Sequence, residues 1–146
     1  MLPDANPRTP LRPTLRTVVL RHETPDGGFH FDWMLEPPSP SGQPAKMLIT
    51  FRLSSRPDLA PGPVAAERLP DHRSDFLEYE GELTRDRGRV FRVARGLVSF
   101  PEGADPHDVE RLVFRCRFDG TPDEGVWTGT KVPGKTAEWT FSRTTD

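Results

Sequence analysis

The residues best suited to chemistry gather in the first quarter of the chain. His22 closes a β-branched run, Thr17-Val18-Val19-Leu20-Arg21, and a turn-rich segment then leads into Phe29-His30-Phe31-Asp32-Trp33-Met34-Leu35. Along an extended strand, alternate side chains share a face, so His30, Asp32 and Met34 project together and Phe29, Phe31, Trp33 and Leu35 take the other side. The aromatic side is the natural core face. His30 and Asp32 are then about 7 Å apart by strand repeat. A hairpin pairing 16–22 with 29–36 brings His22 to the same place. Two imidazoles and one carboxylate suit a borderline divalent cation such as Mn²⁺, Zn²⁺ or Co²⁺, with open positions for water or substrate. The alternative is three solvated or hydrogen-bonded strand side chains.

A second polar cluster, Asp71-His72-Arg73-Ser74-Asp75, precedes Phe76-Leu77-Glu78-Tyr79-Glu80-Gly81. One reading is a polar loop entering a strand. The other places His72 and Arg73 beside the metal as phosphate ligands, with His72 also able to act as a general acid, because a transferring phosphoryl group gathers charge on its oxygens. His107, in Asp105-Pro106-His107-Asp108, reads as surface. Arginines 85, 87, 89, 92 and 95 bracket a strand; at least half read as solvated charge, and the rest could steer a polyanion.

The elements that must hold these residues are short. Seventeen prolines and twelve glycines in 146 residues favour many turns and argue against long helices. Residues 1–15 read as a disordered, Pro-rich tail, and 16–146 as one domain. Strands are expected at 16–22, 29–36, 47–53, 76–83, 88–94, 111–118 and 136–142. The segment Glu23–Gly28 suits a hairpin turn. Helical turns are expected at Val64–Leu69 and Pro106–Glu110. In Arg111–Phe118, Leu112, Phe114, Cys116 and Phe118 share one face, which makes the single cysteine a core residue. Six to eight strands in all favour a β-barrel or sandwich.

Composition narrows the function. A net charge of −2 is unlike a protein that coats nucleic acid non-specifically, yet compatible with one that grips a strand end. No apolar run approaches a membrane span, and the N-terminus lacks a signal-peptide core, so a cytoplasmic protein without a membrane partner is expected. The chain has no GxxxxGK[ST] loop, no GxGxxG after a strand and no GxSxG elbow, which leaves nucleotide-triphosphate and serine-hydrolase chemistry without support.

These motifs resemble the 3′-phosphoesterase domain of bacterial DNA ligase D and its stand-alone bacterial and archaeal relatives. The family's first motif is a histidine ending a strand, then H-[YFW]-D-[FL]-x-L-E, here His22 and His30-Phe31-Asp32-Trp33-Met34-Leu35-Glu36. The second, D-H-x-x-x-[YF]-x-x-[YF]-E-G, is matched by Asp71 through Gly81, and a closing W-x-[LF]-x-R by Trp139-Thr140-Phe141-Ser142-Arg143. The resemblance implies a β-barrel with short flanking helices and Mn²⁺-dependent removal of a 3′ ribonucleotide or 3′ phosphate. It also implies His22, His30 and Asp32 as metal ligands, and His72 as a phosphate contact. Departures are specific. Met34 stands where the family has a phosphate-contacting arginine, and Phe76 where it has a tyrosine. Ser54-Ser55-Arg56 occupies the region of an expected lysine, and the gap from His22 to His30 is longer by about two residues. Arg73, Arg56 and Arg52 are the candidates to compensate.

The expected function is therefore a divalent-metal phosphoesterase acting on nucleic-acid 3′ ends in DNA repair. His30, Asp32 and His72 are its catalytic set, with Arg73 an auxiliary phosphate contact and any DNA ligase or polymerase partner acting in trans. The rivals are a weak or inactive relative that binds DNA ends or a repair partner, a metal enzyme for small phosphodiesters, and a barrel that is only an interaction module.

Overall fold

The computed structural model describes residues 15–59, 62–121 and 124–145; the tail reading for residues 1–14 lies outside them. Nine strands follow in order: β1 (Leu15–Glu23), β2 (Phe29–Leu35), β3 (Met47–Leu53), β4 (Val64–Arg73), β5 (Gly81–Glu82), β6 (Arg89–Ser99), β7 (Arg111–Phe118), β8 (Gly125–Lys131) and β9 (Glu138–Thr145). Among the described residues the one helical piece is a 3₁₀ turn, Ser74–Leu77. Every ladder is antiparallel, in the spatial order β1-β2-β3-β4-β9-β8-β7-β6, and β1 pairs back onto β6. This closes an eight-stranded barrel, and β5 adds a short rung at the start of β6. Closure leaves no long edge exposed.

Aromatic side chains fill the barrel. Trp33 on β2 meets Phe114 on β7, Trp127 on β8 and Phe141 on β9 with ring centroids 5.3, 5.0 and 5.5 Å apart. None of those strands neighbours β2, so the contacts cross the interior. Leu112, Phe114, Cys116 and Phe118 lie in the same buried cluster, as the alternation predicts, and burial pushes the Cys116 thiol pKa up.

A second, smaller apolar cluster lies on the outside of the wall. Val18, Leu20, Met34, Leu48, Leu77 and Val90 form it, with Phe76 and Leu83 packed against it. The chain between β4 and β6 thus acts as a cover over β1, β2 and β3.

Several expected elements differ. Val64–Leu69 is not a helical turn but the first part of β4, because Val64 and Ala66 join the barrel core opposite Phe141 and Trp139. Of the expected strand Phe76–Leu83 only Gly81–Glu82 is strand (β5): the 3₁₀ turn lets the adjacent Phe76 and Leu77 both reach the outer cluster, which strand alternation forbids. Residues 106–110 form non-helical turns. β6 continues past residue 94 to Ser99, and β8 is an unanticipated strand.

Candidate metal centre

The β1–β2 hairpin sets the register of the site. Its turn is closed by a bond from the Thr24 amide to the Gly28 carbonyl at 2.9 Å. Asp26 braces it by accepting from the Thr24 hydroxyl at 2.5 Å and the Gly28 amide at 3.0 Å. These two donors, the Thr24 hydroxyl first, hold the Asp26 carboxyl below its ordinary pKa. Gly27 takes the left-handed conformation the turn needs, at φ 92°. His22 then lies directly opposite His30, Leu20 opposite Asp32, and Val18 opposite Met34. All six side chains share the outer face.

The three predicted ligands converge. His22 Nδ1 is 3.1 Å from His30 Nε2 and 3.6 Å from Asp32 Oδ2, and His30 Nε2 is 3.3 Å from Asp32 Oδ1. Bonds of about 2.0–2.2 Å to one cation place neighbouring donors about 3.0–3.5 Å apart, so these separations fit a shared ion. Asp32 is almost fully buried, its side chain 5% exposed, and its Oδ1 has no hydrogen-bond partner among the described residues. A buried carboxylate oxygen left without a partner is costly, and a cation would satisfy it. The donor set and the orphaned oxygen both fit a divalent transition metal, held by His22 Nδ1, His30 Nε2 and Asp32.

The tautomer of His22 is set from outside. Its Nε2 lies 2.7 Å from the carbonyl oxygen of Arg87. A carbonyl only accepts, so Nε2 carries the proton and Nδ1 of the neutral ring keeps its lone pair toward His30 and Asp32.

Two bulges aim the remaining groups. Between Val19 and Leu20 the β1–β6 ladder skips Val93, so Ala94 opposes Val19 while Arg92 opposes Leu20. A one-residue slip exchanges the two faces of a strand, which turns Val90 outward opposite His22. On β4 the ladder steps from Leu69, opposite Thr50, to His72, opposite Leu48. The extra residue at Pro70–Asp71 puts His72 on the outer face. Pro70 can occupy this point because the β9 ladder ends at Glu67, and bulges and unpaired edges are where a strand tolerates proline.

A cleft of about 500 Å³ results, its walls including His22, Asp32, His72, Arg73 and Arg87, with Met34 and Phe76 among its apolar lining. His72 Nδ1 donates to the Pro70 carbonyl at 2.8 Å, leaving Nε2 to meet a ligand, and its ring packs edge-on to Phe76 at 5.8 Å. Arg73 stands at the rim, 79% exposed. No family model matches the chain, and no curated protein shows significant similarity to it.

The fold thus brings His22, Asp32, His72 and Arg73 to one cleft, with His30 completing the ligand trio behind it. It does not bring Arg52 or Arg56. Arg52 faces Glu67 at 3.7 Å, and Arg56 is bound by Asp58 at 2.6 Å and by the Val93 carbonyl at 3.1 Å. Met34, 1% exposed, is part of the outer apolar cluster. His107 is exposed, as expected. Arg87 carries no local signal in the sequence; only the fold separates it from the arginines around it. Among the described residues no helix is long and apolar enough to cross a membrane.

Proposed function

We propose that this protein is a divalent-metal-dependent phosphoesterase acting on nucleic-acid 3′ ends, a divergent relative of the 3′-phosphoesterase domain of DNA ligase D working in the cytoplasm. The observation that carries this reading is the trio of donor atoms from His22, His30 and Asp32, 3.1–3.6 Å apart, of which His22 and Asp32 line the cleft that also holds His72 and Arg73.

A cation at that trio, for which Mn²⁺ is the first choice, supplies Lewis-acid polarisation of a phosphoryl oxygen and a more acidic bound water. The protein's own groups do the rest. Asp32 and the two imidazoles would hold the ion on the β1–β2 hairpin. His72, pinned through Nδ1–H, acts as the imidazolium, in which Nε2 also carries a proton: it donates that proton in a hydrogen bond to a phosphoryl oxygen or passes it to the leaving oxygen. Arg73 reaches the same phosphate from the rim. The test is incubation of purified protein and Mn²⁺ with primers ending in a 3′ ribonucleotide or a 3′ phosphate. Trimming to a 3′-OH, abolished by His30→Ala, is expected; no turnover on either primer with Mn²⁺, Zn²⁺ or Co²⁺ overturns the reading.

One observation favours a second reading, a metal-binding relative that holds DNA ends or a repair partner without turnover. Met34 and Phe76 give the cleft an apolar lining where a phosphate site would use polar donors. Calorimetric titration with Mn²⁺ alongside turnover on the same sample separates the two: binding without turnover supports this second reading.

A further inference from the structure

We propose that Arg87 is a phosphate contact of this cleft, its guanidinium acting with His72 on the anion while its backbone carbonyl orients His22. The inference rests on the phosphoesterase reading for its substrate, and on the following geometry for the residue.

Arg87 lines the cleft together with His22, Asp32, His72 and Arg73. Two of the neighbouring arginines on β6 are differently engaged. Arg89 pairs with Glu23 and Arg95 with Asp119, at 3.0 and 3.1 Å. Arg87 has no carboxylate within ion-pair distance among the described residues. It is nonetheless held in place: Nε donates to the Thr84 carbonyl at 2.9 Å, and Nη2 to the Thr84 hydroxyl at 3.0 Å. A guanidinium carries five N–H donors. Anchoring one edge on Thr84 therefore leaves Nη1 and the second Nη2 proton for an anion, in the planar arrangement that suits two phosphoryl oxygens. Arg87 and Arg73 are both exposed, but Arg73 has no such anchor, with Asp75 as its nearest acid at 3.9 Å.

The backbone fixes where Arg87 sits. Arg85 and Asp86 have φ of 62° and 54°, and Gly88 has φ of 94°. Two consecutive residues in the left-handed region are what a tight hairpin turn between antiparallel strands requires. Here the conformation belongs to a tight connection, closed by the Leu83 amide on the Gly88 carbonyl at 2.7 Å. That connection seats one residue with its carbonyl on His22 and its side chain along the cleft.

Inorganic phosphate is the probe. Mn²⁺-loaded wild type, Arg87→Ala and Arg87→Lys are titrated with phosphate by calorimetry, and their Mn²⁺ affinities are measured separately. Arg87→Ala is expected to weaken phosphate binding at least tenfold and leave Mn²⁺ affinity within twofold, because the carbonyl on His22 remains. Lysine should restore part of the loss, as a charge without the planar pair of donors. Phosphate affinity within twofold of wild type in Arg87→Ala overturns the proposal. So does a wild type that binds no phosphate, or a loss of Mn²⁺ affinity that accounts for the whole effect. Turnover on 3′-phosphate primers keeps the two readings apart. Arg87-dependent phosphate binding without turnover sinks the phosphoesterase and leaves the anion contact standing. Turnover with an unaffected Arg87→Ala sinks the contact alone.

Discussion

His22 Nε2 and the Arg87 carbonyl oxygen lie 2.7 Å apart although the residues are 65 positions apart in sequence. The contact fixes which nitrogen of His22 faces His30 and Asp32, and it depends on β6 entering the sheet close against the end of β1. Gly88 makes that approach possible. A Cβ at Gly88 would stand 1.8 Å from the Glu23 carbonyl oxygen, at a φ of 94° that side chains rarely adopt. Gly88→Ala is therefore expected to destabilise the protein by about 1–3 kcal/mol and to displace the Arg87 carbonyl. The companion effect is a loss of roughly 10–100-fold in metal affinity, the usual consequence of removing a partner that orients a ligand. Thermal unfolding and a Mn²⁺ titration on the same variant check both.

Metal binding and stability should be linked. Asp32 is buried, and its Oδ1 accepts no hydrogen bond among the described residues. Any ion bound only by the folded state stabilises it, by about 2.7 kcal/mol at a free concentration one hundred times Kd. Adding Mn²⁺ is expected to raise Tm and a chelator to reverse the rise. In Asp32→Ala the rise should vanish. An equal shift in wild type and variant would mean that the ion binds elsewhere.

His72 should separate chemistry from metal binding. It shares the cleft with Asp32 and His22 but is not among the three converging donors. His72→Ala is expected to lower turnover on 3′-end substrates by about two to three orders of magnitude, with Mn²⁺ affinity unchanged. Steady-state kinetics beside calorimetry reads the difference. A variant that retains wild-type turnover removes His72 from the mechanism.

Cys116 should be inert while the protein is folded. It is 2% exposed in the barrel core, and burial, the largest influence on it, raises its pKa. Thiolate is the reactive form, and a raised pKa keeps the thiol protonated at pH 8. A thiol reagent is expected to label one equivalent in denaturant and none in native buffer. Rapid native labelling would show that the barrel opens readily between β7 and its neighbours.

Local alternation was sufficient for the parts of this protein that repeat every second residue. Phe31, Trp33 and Leu35 against His30, Asp32 and Met34 assign β2 its two faces, and Leu112 through Phe118 do the same for β7; both assignments hold in the barrel except at Phe29, expected on the core face but 51% exposed at the end of the strand with the Arg21 guanidinium over its ring. Side-chain direction along a strand is a property of the strand itself, so a sequence carries it. The convergence of His22 with His30 and Asp32 was legible for the same reason, once a turn-rich segment joined two such strands.

What lies between partners was not legible. The slips at Val93 and at Pro70–Asp71 exist only where one strand's ladder meets another's, and they decide that Val90 and His72 share the outer face with His22, His30 and Asp32. β8 lacks a clear apolar pattern partly because Gly129 makes room for the Phe141 ring, whose nearest atom would lie 2.4 Å from a Cβ there. Met34 reads in sequence as a missing cation, yet it belongs to an outer core that the 3₁₀ turn covers. Strand periodicity is local, whereas register, covering layers and the approach of Arg87 to His22 come from packing between segments distant in the chain.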